Sequence, residues 1–173
     1  MRLFAAVLPP PEAVAELETA VRESRALPEA DRLRWAEPDG WHITLAFYGE
    51  TDPGQLPGLY ARLAEAALTH EPFPLRLTGC GTFGDRVLWA GVGGATADLV
   101  SLATAVGPGV GTHDEYRPHL TLARGRGEPP LTPWTAALAG FAGTGWTARA
   151  LVLMRSEDDH RYTSQAAWPL GVP

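Results

Sequence analysis

The 173-residue chain predicts one domain of interleaved strands and helices, α/β or α+β in class. Three observations carry this. The length is that of a single domain, for which roughly 100–200 residues is usual. The composition, 45 % apolar and 20 % charged, is that of a chain with a buried core. Short apolar runs with strand-like alternation are separated by amphipathic stretches at helical spacing.

The elements follow in order. Residues 3–8 read as a buried strand, since the apolar run is too short for a signal peptide and three prolines follow it. Residues 11–26 open on proline and place Val14, Leu17 and Val21 near helical spacing. Residues 42–48 read as a strand, and 54–69 as a helix with Leu56, Leu59 and Leu63. Residues 73–78 alternate as Phe73, Leu75 and Leu77, and 86–92 form another strand. Residues 96–106 look helical, 119–123 are a strand, 131–140 a short helix, 146–154 a strand and 161–168 a last one. The Gly- and Pro-rich stretch 125–133 reads as a loop inside the domain.

Composition excludes several chemistries. The formal charge is −6, and all 14 basic residues are arginine. Without lysine there is no P-loop, no Schiff base, no Ser-Lys dyad and no kinase chemistry. A net acidic chain binds nucleic-acid backbone poorly in general, so RNA contact is expected to be local, through an arginine-lined groove. The single cysteine, Cys80, allows no internal disulfide and no multi-cysteine zinc site, and fits a reducing cytoplasm. No run of 18 apolar residues occurs, so no membrane association is expected.

The chemistry lies in a repeated tetrapeptide. His42-Ile43-Thr44-Leu45 and His119-Leu120-Thr121-Leu122 stand 77 residues apart, close to half the chain, and suggest an internal duplication. On a strand, residues i and i+2 share a face, roughly 6.5–7 Å apart. Two such strands would surround one cleft with two imidazoles and two hydroxyls. That set suits a phosphodiester: one imidazole takes a proton, the other gives one, and the hydroxyls bind the non-bridging oxygens. Histidine is suited to this because its ordinary pKa of about 6.5 lets one copy be neutral and the other charged.

The flanks add a family resemblance. Met1-Arg2-Leu3-Phe4, Arg34-Trp35-Ala36-Glu37-Pro38, Trp41 before the first motif, and Phe47, Gly49 and Glu50 after it begin the pattern. Val87 to Val92, Arg117-Pro118 with the second motif and Ala123-Arg124, Leu153 to Glu157, and Arg161-Tyr162 complete it. Over nearly its whole length the chain resembles the 2H phosphoesterases, specifically the bacterial and archaeal RNA 2′,3′-cyclic phosphodiesterases (ThpR/LigT). The resemblance implies an α+β fold of one domain, 1–173, with two pseudo-symmetric lobes. Its antiparallel sheets would form a central cleft with helices outside. It also implies metal-independent hydrolysis of RNA 2′,3′-cyclic phosphates to 2′-phosphomonoesters, with reverse 2′–5′ ligation permitted. His42 would be the proton donor to the departing 3′ oxygen and His119 the acceptor that activates water. Thr44 and Thr121 would hold the phosphate, and Arg124 would stabilise developing charge. Strict alternation points Arg124 away from His119, so a twist or bulge is needed to bring it in.

Three departures concern substrate size. Ala46 stands where a basic residue is common, Tyr48 where leucine is usual, and the loop 107–115 is short, which would leave the cleft more open there. Gly79 to Gly84 matches G-x-G-x-x-G, but a strand follows instead of a helix, so it reads as a strand-connecting turn. Zinc would need more ligands than His42 and His119 with threonines at i+2, even if His113-Asp114 supplemented them. Trp41 packs beneath the first motif or lines the cleft. Arg155 and Arg161 are a phosphate rim or surface charge, and Arg149 is surface. The acidic run 157–159 is solvated and would repel RNA if it faced the cleft.

The expected partners are RNA or oligonucleotide ends bearing a 2′,3′-cyclic phosphate, with no cofactor, no metal, no membrane and no obligate protein partner, in a cytoplasmic monomer. The alternatives are a phosphodiesterase for small cyclic nucleotides or ADP-ribose cyclic phosphate, and a non-catalytic module that binds RNA ends.

Overall fold

A computed structural model describes residues 1–111 and 115–173. Along the chain it contains β1 (Arg2–Val7), α1 (Pro11–Arg25), β2 (Arg34–Trp35), β3 (Ile43–Glu50), α2 (Leu56–Leu68), β4 (Phe73–Phe83), β5 (Val87–Gly94) and α3 (Thr96–Val106). β6 (His119–Arg124), α4 (Thr132–Leu138), β7 (Trp146–Ala148), β8 (Ala150–Ser156) and β9 (Tyr162–Pro169) follow. The described strands form two sheets, ordered β3-β1-β8-β9 and β2-β6-β5-β4-β7. Every pairing in both is antiparallel. This is the α+β expectation with helices outside, and it discards the parallel α/β alternative.

β1 is central because Leu3 to Val7 are all buried, and a strand without a polar face is stable only between neighbours and covering layers. Its alternation divides the apolar interior. Leu3, Ala5 and Val7 enter the main core, whereas Phe4 and Ala6 join Val152, Met154 and Tyr162 in a second group on the opposite face. Helices α2 and α3 pack together against the first sheet, and α1 and α4 against the second. Prolines open α1, α2 and α4, where a missing N–H costs no intrahelical bond.

The structure refines three elements. The strand expected over 146–154 is two strands in different sheets, β7 and β8, with exposed Arg149 at the crossing. An apolar run shows burial but not which sheet receives it. β4 continues to Phe83, so Gly79 to Phe83 lie in a strand and only Gly84 falls in the turn. Gly81 belongs there because the Trp89 indole lies over it; a Cβ would stand 2.3 Å from the ring. β2, of two residues, is too short to leave a periodic signal. No helix among the described residues is long and apolar enough to cross a membrane.

Candidate active site

The first motif strand, β3, and the second, β6, lie in different sheets and touch each other. His42 immediately precedes β3, and His119 opens β6. A helical turn over Pro38–Gly40 ends just before His42, and the Gly40 carbonyl accepts a hydrogen bond from His42 Nδ1 at 2.8 Å. The Arg117 carbonyl accepts the same bond from His119 Nδ1 at 2.7 Å. A carbonyl only accepts, so Nδ1 must carry the hydrogen in both rings. In the neutral form the lone pair then falls on Nε2 in each. Two residues 77 positions apart thus present the same reactive nitrogen, fixed by the same i−2 contact.

Aromatic rings orient both imidazoles. His42 lies 4.6 Å from Phe4 and 4.9 Å, edge-on, from Tyr162. His119 lies 4.8 Å, edge-on, from Phe83 and 6.3 Å from Trp89. Burial, the foremost cause, lowers the His42 pKa below its ordinary value, and the charges of His119 and Arg124 lower it further, against the raising effect of the Gly40 carbonyl.

Arg124 reaches this face through a β-bulge. Along β6, Thr121 pairs with Trp89 and Ala123 with Leu88, so Leu122 is the extra residue. Leu122 and Ala123 are both buried, and Arg124 returns, exposed, to the side of His119 and Thr121. β3 repeats the device: Thr44 pairs with Ala6 and Ala46 with Ala5, leaving Leu45 as the extra residue. There the phase shift brings out Phe47, which is 43 % exposed, at the position corresponding to Arg124. Thr44 and Thr121 are half-buried on the faces of their histidines.

Other expectations resolve by burial. Trp41 packs beneath the motif, 4 % exposed, with its indole N–H donating to Ala36 O at 3.1 Å. Ala46 sits in the core. Tyr48 is the extra residue of a second bulge in β3, and its hydroxyl donates to Val106 O at 2.8 Å, fastening it to α3. Cys80 donates to Thr135 O. The acidic run is occupied: Asp158 pairs with Arg2 at 3.0 Å, Asp159 with Arg161, and Glu157 with Arg155 at 3.3 Å. Arg155 and Arg161 are therefore already partnered. His113 and Asp114, offered as supplementary zinc ligands, lie outside the described residues, and the 107–115 loop is described only through Gly111 and at Glu115. Among the described residues no three His, Cys, Asp or Glu side chains converge as a metal site would require.

Sequence reading missed Tyr116, whose hydroxyl donates to Thr44 O at 2.7 Å. It also missed the two carbonyls behind the histidines, which any residue type supplies. An open groove of about 1050 Å³ runs beside His119, lined by Thr44, Phe47, Phe83, Val110 and Tyr116.

Two antiparallel sheets, each offering a His-x-Thr-Leu strand to the space between them, define the class of 2H phosphoesterases. The chain belongs to the 2′-5′ RNA ligase superfamily, whose family model matches residues 8–160. It is 31 % identical to an RNA 2′,3′-cyclic phosphodiesterase of Thermus thermophilus, over 91 % of this chain and 82 % of that protein. It is 33 % identical over 153 residues to an RNA 2′,3′-cyclic phosphodiesterase of Geobacillus stearothermophilus, 80 % of this chain; the chain spans about half (48 %) of that relative's length. The crystal structure of TT0787 of Thermus thermophilus superposes with a TM-score of 0.77 at 28 % identity, covering 98 % of both chains. The apo crystal structure of E. coli LigT shares the fold, with a TM-score of 0.76 at 22 % identity over 99 % of this chain and 98 % of that one.

Proposed function

We propose that this chain hydrolyses RNA 2′,3′-cyclic phosphate ends to 2′-phosphomonoesters without a metal, as one catalytic domain of two pseudo-symmetric lobes. The observation that carries the reading is the matched pair of Nδ1–carbonyl bonds, which gives His42 and His119 equivalent, available Nε2 atoms. The names of the relatives support the substrate class.

In the proposed step, His119 Nε2 takes a proton from water as its oxygen bonds to phosphorus. The bond from phosphorus to O3′ breaks, and protonated His42 gives its Nε2 proton to O3′. The products are a 2′-phosphate and a 3′-hydroxyl; each histidine then holds the other's starting proton state, and exchange with solvent resets them. Thr44 and Thr121 hydroxyls donate to the non-bridging oxygens, and Arg124 stabilises their growing charge. The substrate's anionic phosphate favours protonated His42, offsetting the burial that disfavours it in the empty site. With a 5′-hydroxyl in place of water, the same proton transfers open the 2′,3′-cyclic phosphate by breaking the bond from phosphorus to O3′ and leave a 2′–5′ linkage; the return of that step regenerates the cyclic phosphate. A cytoplasmic monomer completes the reading.

The test is turnover of a short RNA ending in a 2′,3′-cyclic phosphate by EDTA-treated protein, followed by ³¹P NMR. The reading predicts a 2′-phosphate product at an undiminished rate. A 3′-phosphate product, or loss of turnover on chelation, contradicts it. The net charge of −6 favours a second reading, a phosphodiesterase for small cyclic nucleotides or ADP-ribose cyclic phosphate; kcat/KM independent of oligonucleotide length would select it.

A further inference from the structure

Arg34 and Arg124 are direct partners in the antiparallel pairing of β2 with β6. Opposed residues share a face, with Cα atoms about 4.5–5.5 Å apart. Arg34 therefore stands on the side of Arg124, Thr121 and His119. Its Nη1 lies 3.2 Å from Nε2 of His160, which comes from the β8–β9 turn of the other sheet. A guanidinium only donates, so this His160 nitrogen accepts. His160 has φ of 63°, a left-handed conformation uncommon outside glycine.

Like charges directly opposite on paired strands are destabilising. Among the described residues no carboxylate pairs with Arg34 or Arg124, although the three acids of the adjacent turn hold other arginines. The chain, acidic overall, thus concentrates uncompensated positive charge at one edge of the cleft, on the second sheet and one residue pair from the proposed phosphate site.

We propose that Arg34, steadied by His160, forms a second anion subsite. It binds the phosphate on the 5′ oxygen of the nucleoside whose cyclic phosphate lies between His42 and His119. The inference rests on the proposed cyclic phosphodiesterase reading and makes the favoured substrate an oligonucleotide end, reconciling RNA with an acidic protein through local charge. That phosphate is either an internal diester or a terminal 5′-phosphate.

The experiment compares kcat/KM for four cyclic-phosphate substrates: a dinucleotide, the same dinucleotide with a neutral methylphosphonate linkage, a 5′-phosphorylated mononucleotide and its 5′-hydroxyl form. The wild type prefers the charged linkage. Arg34→Ala reduces that preference by roughly threefold to tenfold, His160→Ala reduces it in the same direction, and Arg34→Lys restores part of it. A gain from the 5′-phosphate as well as the diester assigns the site to phosphate in general; a gain from the diester alone assigns it to the chain. A preference unchanged in Arg34→Ala, or no preference in the wild type, overturns the proposal. Calorimetric binding of the corresponding 2′-phosphate products gives the same comparison without turnover. If catalysis is absent but Arg34→Ala still loses the charged-linkage preference in binding, the subsite stands and the hydrolytic reading falls.

Discussion

The hydroxyl of Tyr116 donates to the backbone carbonyl of Thr44 at 2.7 Å. The chain entering the second motif is thereby fastened to the strand carrying the first, three residues before His119. Burial pushes the Tyr116 pKa well up, so the phenol remains a donor across the working range.

Tyr116→Phe keeps the ring and removes the fastening. The expected loss of stability is about 1 kcal/mol, lowering Tm by a few degrees for a chain of this size. If the bond also sets the spacing of the motifs, kcat falls more than KM rises. A variant with reduced Tm and unaltered kcat would assign Tyr116 to stability alone.

The pH dependence follows from His42. As the proposed proton donor it must be protonated in the free enzyme for kcat/KM, and burial foremost, then His119 and Arg124, hold its pKa below 6.5. The protonated fraction shrinks as pH rises through that lowered pKa, so kcat/KM declines on the alkaline side. Arg124→Ala removes one lowering charge. Its rate is smaller throughout, but its alkaline limb moves to higher pH. Profiles between about pH 5 and 8 read this directly, and a limb that stays or moves lower contradicts the assignment.

Gly81→Ala tests the aromatic seat of His119. The added Cβ meets the Trp89 ring at 2.3 Å, and Trp89 in turn flanks His119. Overpacking of this kind costs about 1–3 kcal/mol, and the displaced indole lowers kcat with it. Denaturant unfolding and initial rates measure the two effects. A stable variant with wild-type turnover would separate Trp89 from the site.

The paired histidines were legible because a tetrapeptide repeated at half the chain length is a strong signal; the need for a bulge before Arg124 followed from strand alternation, and the antiparallel two-sheet fold was implied by the family resemblance alone. The location of that bulge was not. Leu122 and Ala123 are two apolar letters in a strand, and only the pairing with Leu88 and Trp89 shows which is extra. The division of 146–154 between sheets was hidden because burial alone does not name a neighbour. Tyr116 escaped because its partner is a backbone carbonyl 72 residues away. The Gly40 and Arg117 carbonyls leave no mark in sequence, since every residue has one. His160 read as part of an exposed turn; its contact with Arg34 depends on how the two sheets meet.

The central claim is that His42 and His119 act as one acid–base pair through Nε2. Its most direct test is the single-turnover rate on an RNA 2′,3′-cyclic phosphate for His42→Ala, His119→Ala and the double variant. Each single substitution is expected to cost roughly 10²–10⁴-fold, and the double variant far less than the product of the two, because residues acting as a unit are not additive. Retention of near wild-type turnover by either single variant would contradict the account.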